Sequence, residues 1–105
     1  MWNPLKLVPN REIDEFSRSL ARELAERYPA TLAPEPTDKK GEKKLGRALN
    51  GIYARARDFR SGRRLGVYAK ARLGNTFKWE LRDLGYASEF VDRATRGLIL
   101  NLSSK

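Results

Sequence analysis

Neither cysteine nor histidine occurs in this chain of 105 residues. Without Cys there are no disulfides, no thiolate metal sites and no thiol nucleophile, a composition compatible with a reducing cytoplasm. Without His as well, the two commonest catalytic side chains for proton transfer and nucleophilic attack are missing. No Gly-rich phosphate loop follows a strand, because no strand pattern is evident. The expectation is a non-enzyme that uses no cofactor and no metal. No stretch approaches the roughly 20 apolar residues that span a bilayer. The opening MWNPLKLVPN has neither the apolar run nor the small-residue cleavage site of a signal peptide. A cytoplasmic location away from membranes is therefore expected.

What is present suffices for one core. Apolar residues make up 40% of the chain, including four Phe, four Tyr and two Trp. That is too much apolar volume for a disordered chain and too little for two cores, so residues 1–105 read as a single domain. Residues 1–9 hold two prolines among Trp2, Leu5, Leu7 and Val8, which predicts an extended arm over the core.

Helical periodicity dominates the rest. Ile13, Phe16, Leu20, Leu24 and Tyr28 recur at three- and four-residue steps, which predicts a helix from Asn10 to Tyr28. Its outer face carries Asp14 before Arg18 and Glu23 before Arg27, pairs four residues apart. Pro29 stops it, and residues 29–38 form a stiff Pro-rich linker with Asp38 as the next cap. Leu45, Leu49, Ile52, Ala56 and Phe59 line a second helix over Lys39–Arg60. Gly46 and Gly51 inside it mark either a weak helix or a place where another backbone comes close. A third helix is expected from Arg63 to Leu73 (using Leu65, Tyr68, Ala69 and Leu73) with Gly74 just past its end, and a fourth from Thr76 to Leu84 with Gly85 past its end. A fifth starts at Ser88 and uses Phe90, Val91, Ala94 and Leu98. The run Gly97–Leu102 reads as a continuation of it, the alternative being a short extended tail. The expected fold is all-α, a small orthogonal bundle of about five helices.

Charge is unevenly spread. From Lys39 through Arg72 there are twelve Lys and Arg against two acids, Glu42 and Asp58, a surplus of ten in 34 residues. The other 71 residues carry ten bases against eleven acids. A block of one sign raises self-repulsion, and such blocks commonly mark a surface for a polyanion. Arg57, Arg60, Arg63 and Arg64 gather around Ser61-Gly62. Were a helix to begin at Arg63, its free N–H groups and these guanidinium forks would seat an anion. Were the second helix instead to run on through Arg64, the same cations would sit comfortably at a helix C-terminus. Tyr53, Tyr68, Phe77 and Trp79 lie in or beside the block, and nucleic-acid bases stack on aromatics placed among cations. Tyr53 and Trp79 fall off the apolar stripes and are the better candidates for exposure, although burial is the commoner fate of such rings in a chain this short.

Two short segments resemble known joints. ARLGNTFKWEL, Ala71 to Leu81, resembles a helix-turn-helix with Leu73-Gly74 at the turn, but Glu80 stands where that pattern buries a side chain. The resemblance implies a major-groove reader. LRDLGYASEFVDRATRGLI, Leu81 to Ile99, resembles the helix–glycine–aromatic–helix joint of ubiquitin-associated domains and of the RecX recombination regulators. It covers under a fifth of the chain and brings no functional residue with it.

The leading expectation is a non-catalytic nucleic-acid-binding protein, for DNA or RNA, that senses backbone through residues 39–72. The site residues would be Lys40, Lys43, Lys44, Arg47, Arg57, Arg60, Arg63, Arg64, Lys70 and Trp79. The alternative is a small regulatory module that docks on an acidic protein surface, or a homodimer formed through the C-terminal helix, where Leu98, Ile99, Leu100 and Leu102 exceed what one stripe buries.

Overall fold

A computed structural model describes residues 8–32 and 38–103 of the chain. It contains four α-helices and, among the described residues, no strand: α1 (Asn10–Arg27), α2 (Lys39–Arg60), α3 (Val67–Asp83) and α4 (Ser88–Ser103), with a short 3-10 turn at Ala30–Leu32. The all-α class holds with four helices instead of five. Residues 1–7 of the expected N-terminal arm and 33–37 of the linker lie outside the described residues. Val8 packs against the core, Pro9 caps α1, and the linker's start is not extended but turns as the 3-10 segment Ala30–Leu32.

The helix count differs because Gly74 does not end a helix. Only Gly62 and Gly85 have positive φ, at 79° and 99°. Gly74 keeps helical geometry inside α3, where a Cβ would lie 2.6 Å from Ile99 Cδ1 of α4. It is a close-packing residue, not a cap, and α3 runs unbroken through the segment that resembles a helix-turn-helix. That resemblance is overturned, and with it the major groove reader it implied. Gly85 does terminate α3. The Tyr86 N–H reaches the Leu81 carbonyl and the Gly85 N–H reaches that of Arg82, at 3.2 and 3.0 Å. This is a Schellman stop, with buried Tyr86 packed beyond it.

Between α2 and α3, neither expectation for the arginine turn is met. α2 ends at Arg60, Gly62 makes the turn, and α3 starts only at Val67 behind Gly66. Arg63 and Arg64 thus belong to the connection and lie outside the first turn of a helix. At the start of α2 the Asp38 carboxylate accepts the Gly41 N–H at 2.8 Å, as its position suggested.

Pairwise contacts fix the arrangement. α1 runs antiparallel to α2, since Glu12 meets Arg63 while Arg27 lies against Gly51. α1 runs parallel to α3, with Asp14 on Arg72 and Arg18 and Arg22 on Glu80. α2 is parallel to α4 through Tyr53–Ala94 and Arg57–Asn101. α3 and α4 form an antiparallel hairpin. The helices therefore lie alongside one another in the ring α1–α2–α4–α3, aligned instead of crossing at right angles. α2 and α3, like α1 and α4, stand diagonally across the bundle.

The core contains every buried position that the stripes of α1, α2 and α4 named except Phe16, which is half-buried. It also takes Leu65, Leu73, Phe77 and Leu81, but Tyr68 is 63% exposed. In the C-terminal run Leu98 and Leu102 are buried, Ile99 fits against Gly74, and Leu100 alone stands out at 63% exposure. One exposed leucine is ordinary on a monomer surface. Three of the four apolar side chains of the run are thus covered within the bundle.

Candidate nucleic-acid interface

The basic block divides into two groups once the helices are placed. Because α1 lies antiparallel along the second half of α2, its acids reach the arginines there. Glu23 takes Arg27 at 3.0 Å and also Arg55. Glu12 takes Arg63 at 2.9 Å. Asp14 receives both fork nitrogens of Arg72 at 2.9 Å and a hydroxyl bond from Thr76 at 3.3 Å. That bidentate bond holds the Asp14 carboxyl below its ordinary pKa despite partial desolvation, and holds the Arg72 guanidinium above its own. Asp14 thus uses Arg72 in place of the expected Arg18.

Several arginines of this group are also fixed by rings. Phe16 and Phe59 stack with centroids 3.9 Å apart. The Arg63 guanidinium covers Phe59 at 4.2 Å and that of Arg55 lies 5.5 Å from Phe16. The result is a four-layer stack, cation–ring–ring–cation, at the α1/α2 seam. Arg63 in addition donates to the Phe59 carbonyl at 3.1 Å. Arg57 donates to Asn101 of α4, while Arg60 has its Nε buried without a hydrogen-bond partner among the described residues. Of the four arginines expected to gather into one anion seat, only Arg64 is both exposed and without a described polar partner. Of that cluster, Arg57 and Arg63 tie α2 and the connection after it to α4 and α1.

The first half of α2 is different. Lys39, Lys40, Lys43, Lys44 and Arg47 are all exposed and have no ion-pair partner among the described residues. α1 ends opposite Gly51, so no acid of that helix can reach them. Two exposed acids stand nearby, Asp38 at the N-cap and Glu42 one turn from Lys39, and neither forms an ion pair among the described residues, so the segment keeps a positive surplus. Gly46 has nothing within 4 Å of where a Cβ would stand, so helix α2 crosses it without any backbone pressing on it. Gly51 instead accommodates the Arg27 side chain, with a Cβ position 3.2 Å from its guanidinium.

The remaining site candidates lie elsewhere. Lys70, half-buried, is in the first turn of α3. Trp79 is 53% exposed on α3, as its register suggested, with the Arg82 guanidinium 5.3 Å from its ring. Because α3 stands diagonally from α2, Trp79 does not share a face with the lysines. Tyr53, expected to be exposed, is turned into the α2/α4 seam. Its hydroxyl donates to the Ala94 carbonyl at 2.8 Å, and burial pushes its pKa up to about 12. Gly97 makes room for it: a Cβ there would lie 2.7 Å from Tyr53 Cζ. The spacing from Arg47 already puts Asn50 and Ala54 on the face of the lysines, and both are exposed there.

Among the described residues no group of three or more carboxylates could hold a metal, and no helix is long and apolar enough to cross a membrane. No family model, curated protein or solved structure matches the chain.

Proposed function

We propose that this protein binds the phosphate backbone of nucleic acid through the first half of α2. The carrying observation is the set of five exposed cations within nine residues, Lys39, Lys40, Lys43, Lys44 and Arg47, with no ion-pair partner among the described residues. Elsewhere in the block Arg55, Arg63 and Arg72 are matched by acids of α1. Cations of one sign left together on one helix raise the energy of the free protein, and a polyanion relieves that repulsion. Binding of this kind releases counterions, so affinity falls steeply with salt. Five neutralised phosphates correspond to a log–log slope of about −4.5 on duplex and about −3.5 on single strands.

Fluorescence anisotropy with labelled oligonucleotides, titrated from 50 to 200 mM salt (a range over which several phosphate contacts give large changes), tests this directly. Slopes near those values are expected. Absence of binding at about 50 mM salt would discard the proposal and leave an acidic protein surface as the partner that the same cations suit.

A further inference from the structure

The exposed face of α2 continues past the cations. Lys40, Lys43, Arg47, Asn50 and Ala54 follow at three- and four-residue steps and all are exposed. At about 1.5 Å per residue they form one uncovered stripe roughly 21 Å long. Along it the side chains shrink, from three cations to an amide to a methyl group. By register Lys39 and Lys44 stand to either side of this crest. The first half of α2 also runs on beyond α1, whose last residue, Arg27, lies against Gly51.

Three nucleic-acid forms could meet such a face, and the structure favours one. Proteins hold single strands with backbone cations plus aromatic rings on which bases stack. Among the described residues this face exposes no aromatic side chain: Tyr53 is turned into α4, and Tyr68 and Trp79 are on α3, diagonally opposite. A-form RNA duplexes close their major groove to side chains. B-form DNA has a major groove about 12 Å wide, which admits an α-helix, with phosphates on both rims for flanking cations.

We infer that α2 enters the major groove of duplex DNA with Arg47 and Asn50 facing the base edges, an inference that rests on the phosphate-binding proposal above. Arg is suited to the O6/N7 edge of guanine and Asn to the N6/N7 edge of adenine. Residues three apart on a helix are about 5–6 Å apart at Cβ, so the two reach bases one or two steps from each other. Lys39, Lys40, Lys43 and Lys44 then hold the rims and carry no base preference.

The test uses the full chain and equal-length probes of duplex DNA, single-stranded DNA and duplex RNA, together with selection from a random-core DNA duplex pool. Duplex DNA is expected to bind best, and selected sites to contain a guanine and an adenine within two steps. Asn50→Ala should lose about fivefold or more of the preference at the adenine, read as the ratio of affinities for selected and unselected duplex. Lys43→Ala should weaken all duplexes alike and reduce the slope by about 0.9. Both positions are exposed, and circular dichroism confirms that each variant is folded. Salt-dependent binding with a preference for single strands or RNA, an unselective pool, or an Asn50→Ala variant with unaltered preference would overturn the inference and leave the phosphate-binding proposal standing. No binding to any probe would overturn both.

Discussion

The two halves of α2 carry the same kind of charge and meet opposite fates. In the first half five cations stand exposed with no ion-pair partner among the described residues, α1 ending opposite Gly51. In the second half Arg55 meets Glu23, Arg57 meets Asn101, and just past the end Arg63 meets Glu12. The difference is one of neighbours, not of residue type. A cation beside an antiparallel helix with acids on the facing side becomes part of the bundle's own wiring. One beyond that helix's end stays available to an external anion. A charge count along the chain sees a single block, whereas only half of it faces outward unmatched.

The largest test of that contrast reverses the charge of the free half. Lys40, Lys43, Lys44 and Arg47 changed together to Glu should lower affinity for oligonucleotides at least a hundredfold, about 2.7 kcal/mol or more, while the thermal midpoint stays nearly constant. The matching change on the wired side, Arg55, Arg63 and Arg72 to Glu, should chiefly lower the midpoint, because each new carboxylate would face an acid of α1. Equal loss of affinity in both sets, measured by anisotropy on folded protein, would erase the distinction.

Glycines probe the same contrast through packing. Gly97→Ala places a methyl group into the Tyr53 ring, which its bond to Ala94 holds in place, so a loss of about 1–3 kcal/mol is expected in urea unfolding. Gly46→Ala lies in the free half with nothing within 4 Å and ordinary helical backbone. It should stabilise the protein by about 0.5–1 kcal/mol through reduced unfolded-state entropy. A destabilised Gly46→Ala variant would mean that something presses on this half of α2 after all.

The smallest effect concerns the wiring itself. Asp14 has a lowered pKa because of its fork to Arg72. Its contribution is present above the ordinary carboxylate range near pH 4 and is lost as pH falls through the lowered value. The pair is partly exposed, so Asp14→Asn should cost about 0.5 kcal/mol at pH 7, a difference that shrinks as the pH falls below the ordinary carboxylate range. An unchanged difference between the two proteins across that acid window would show that the ion pair does not carry the effect.

Much of this was legible in the residues. The periods of Ile13–Tyr28, Leu45–Phe59 and Phe90–Leu98 place three helices and their buried faces, because burial on one side of a helix forces a 3.6-residue repeat. Gly85 before Tyr86 marks a true helix end. Asp38 before Lys39 marks a true beginning. Gly74 misled, since a glycine chosen so that Ile99 can approach looks, in sequence, like one chosen for positive φ. Trp79 was correctly placed outside, while Tyr53 was not: its position off the α2 apolar stripe puts it at the flank where α4 packs, and a flank can be covered by a neighbour.

The sequence by itself determined that the protein is helical, where α1, α2 and α4 lie, and that its positive charge is concentrated between Lys39 and Arg72. These are properties of local spacing and composition, which need no knowledge of neighbours. Only the tertiary structure decided that Asp14 answers Arg72 instead of Arg18, that Arg57 and Arg63 are engaged by Asn101 and Glu12, and that Trp79 stands across the bundle from the lysines. Each depends on which helix lies beside which and in what direction. Ion pairs and exposure are set by distances between elements far apart in the chain, and the order α1–α2–α4–α3 brings Glu12 and Glu23 to Arg63 and Arg55 while leaving Lys40 and Lys43 unmatched.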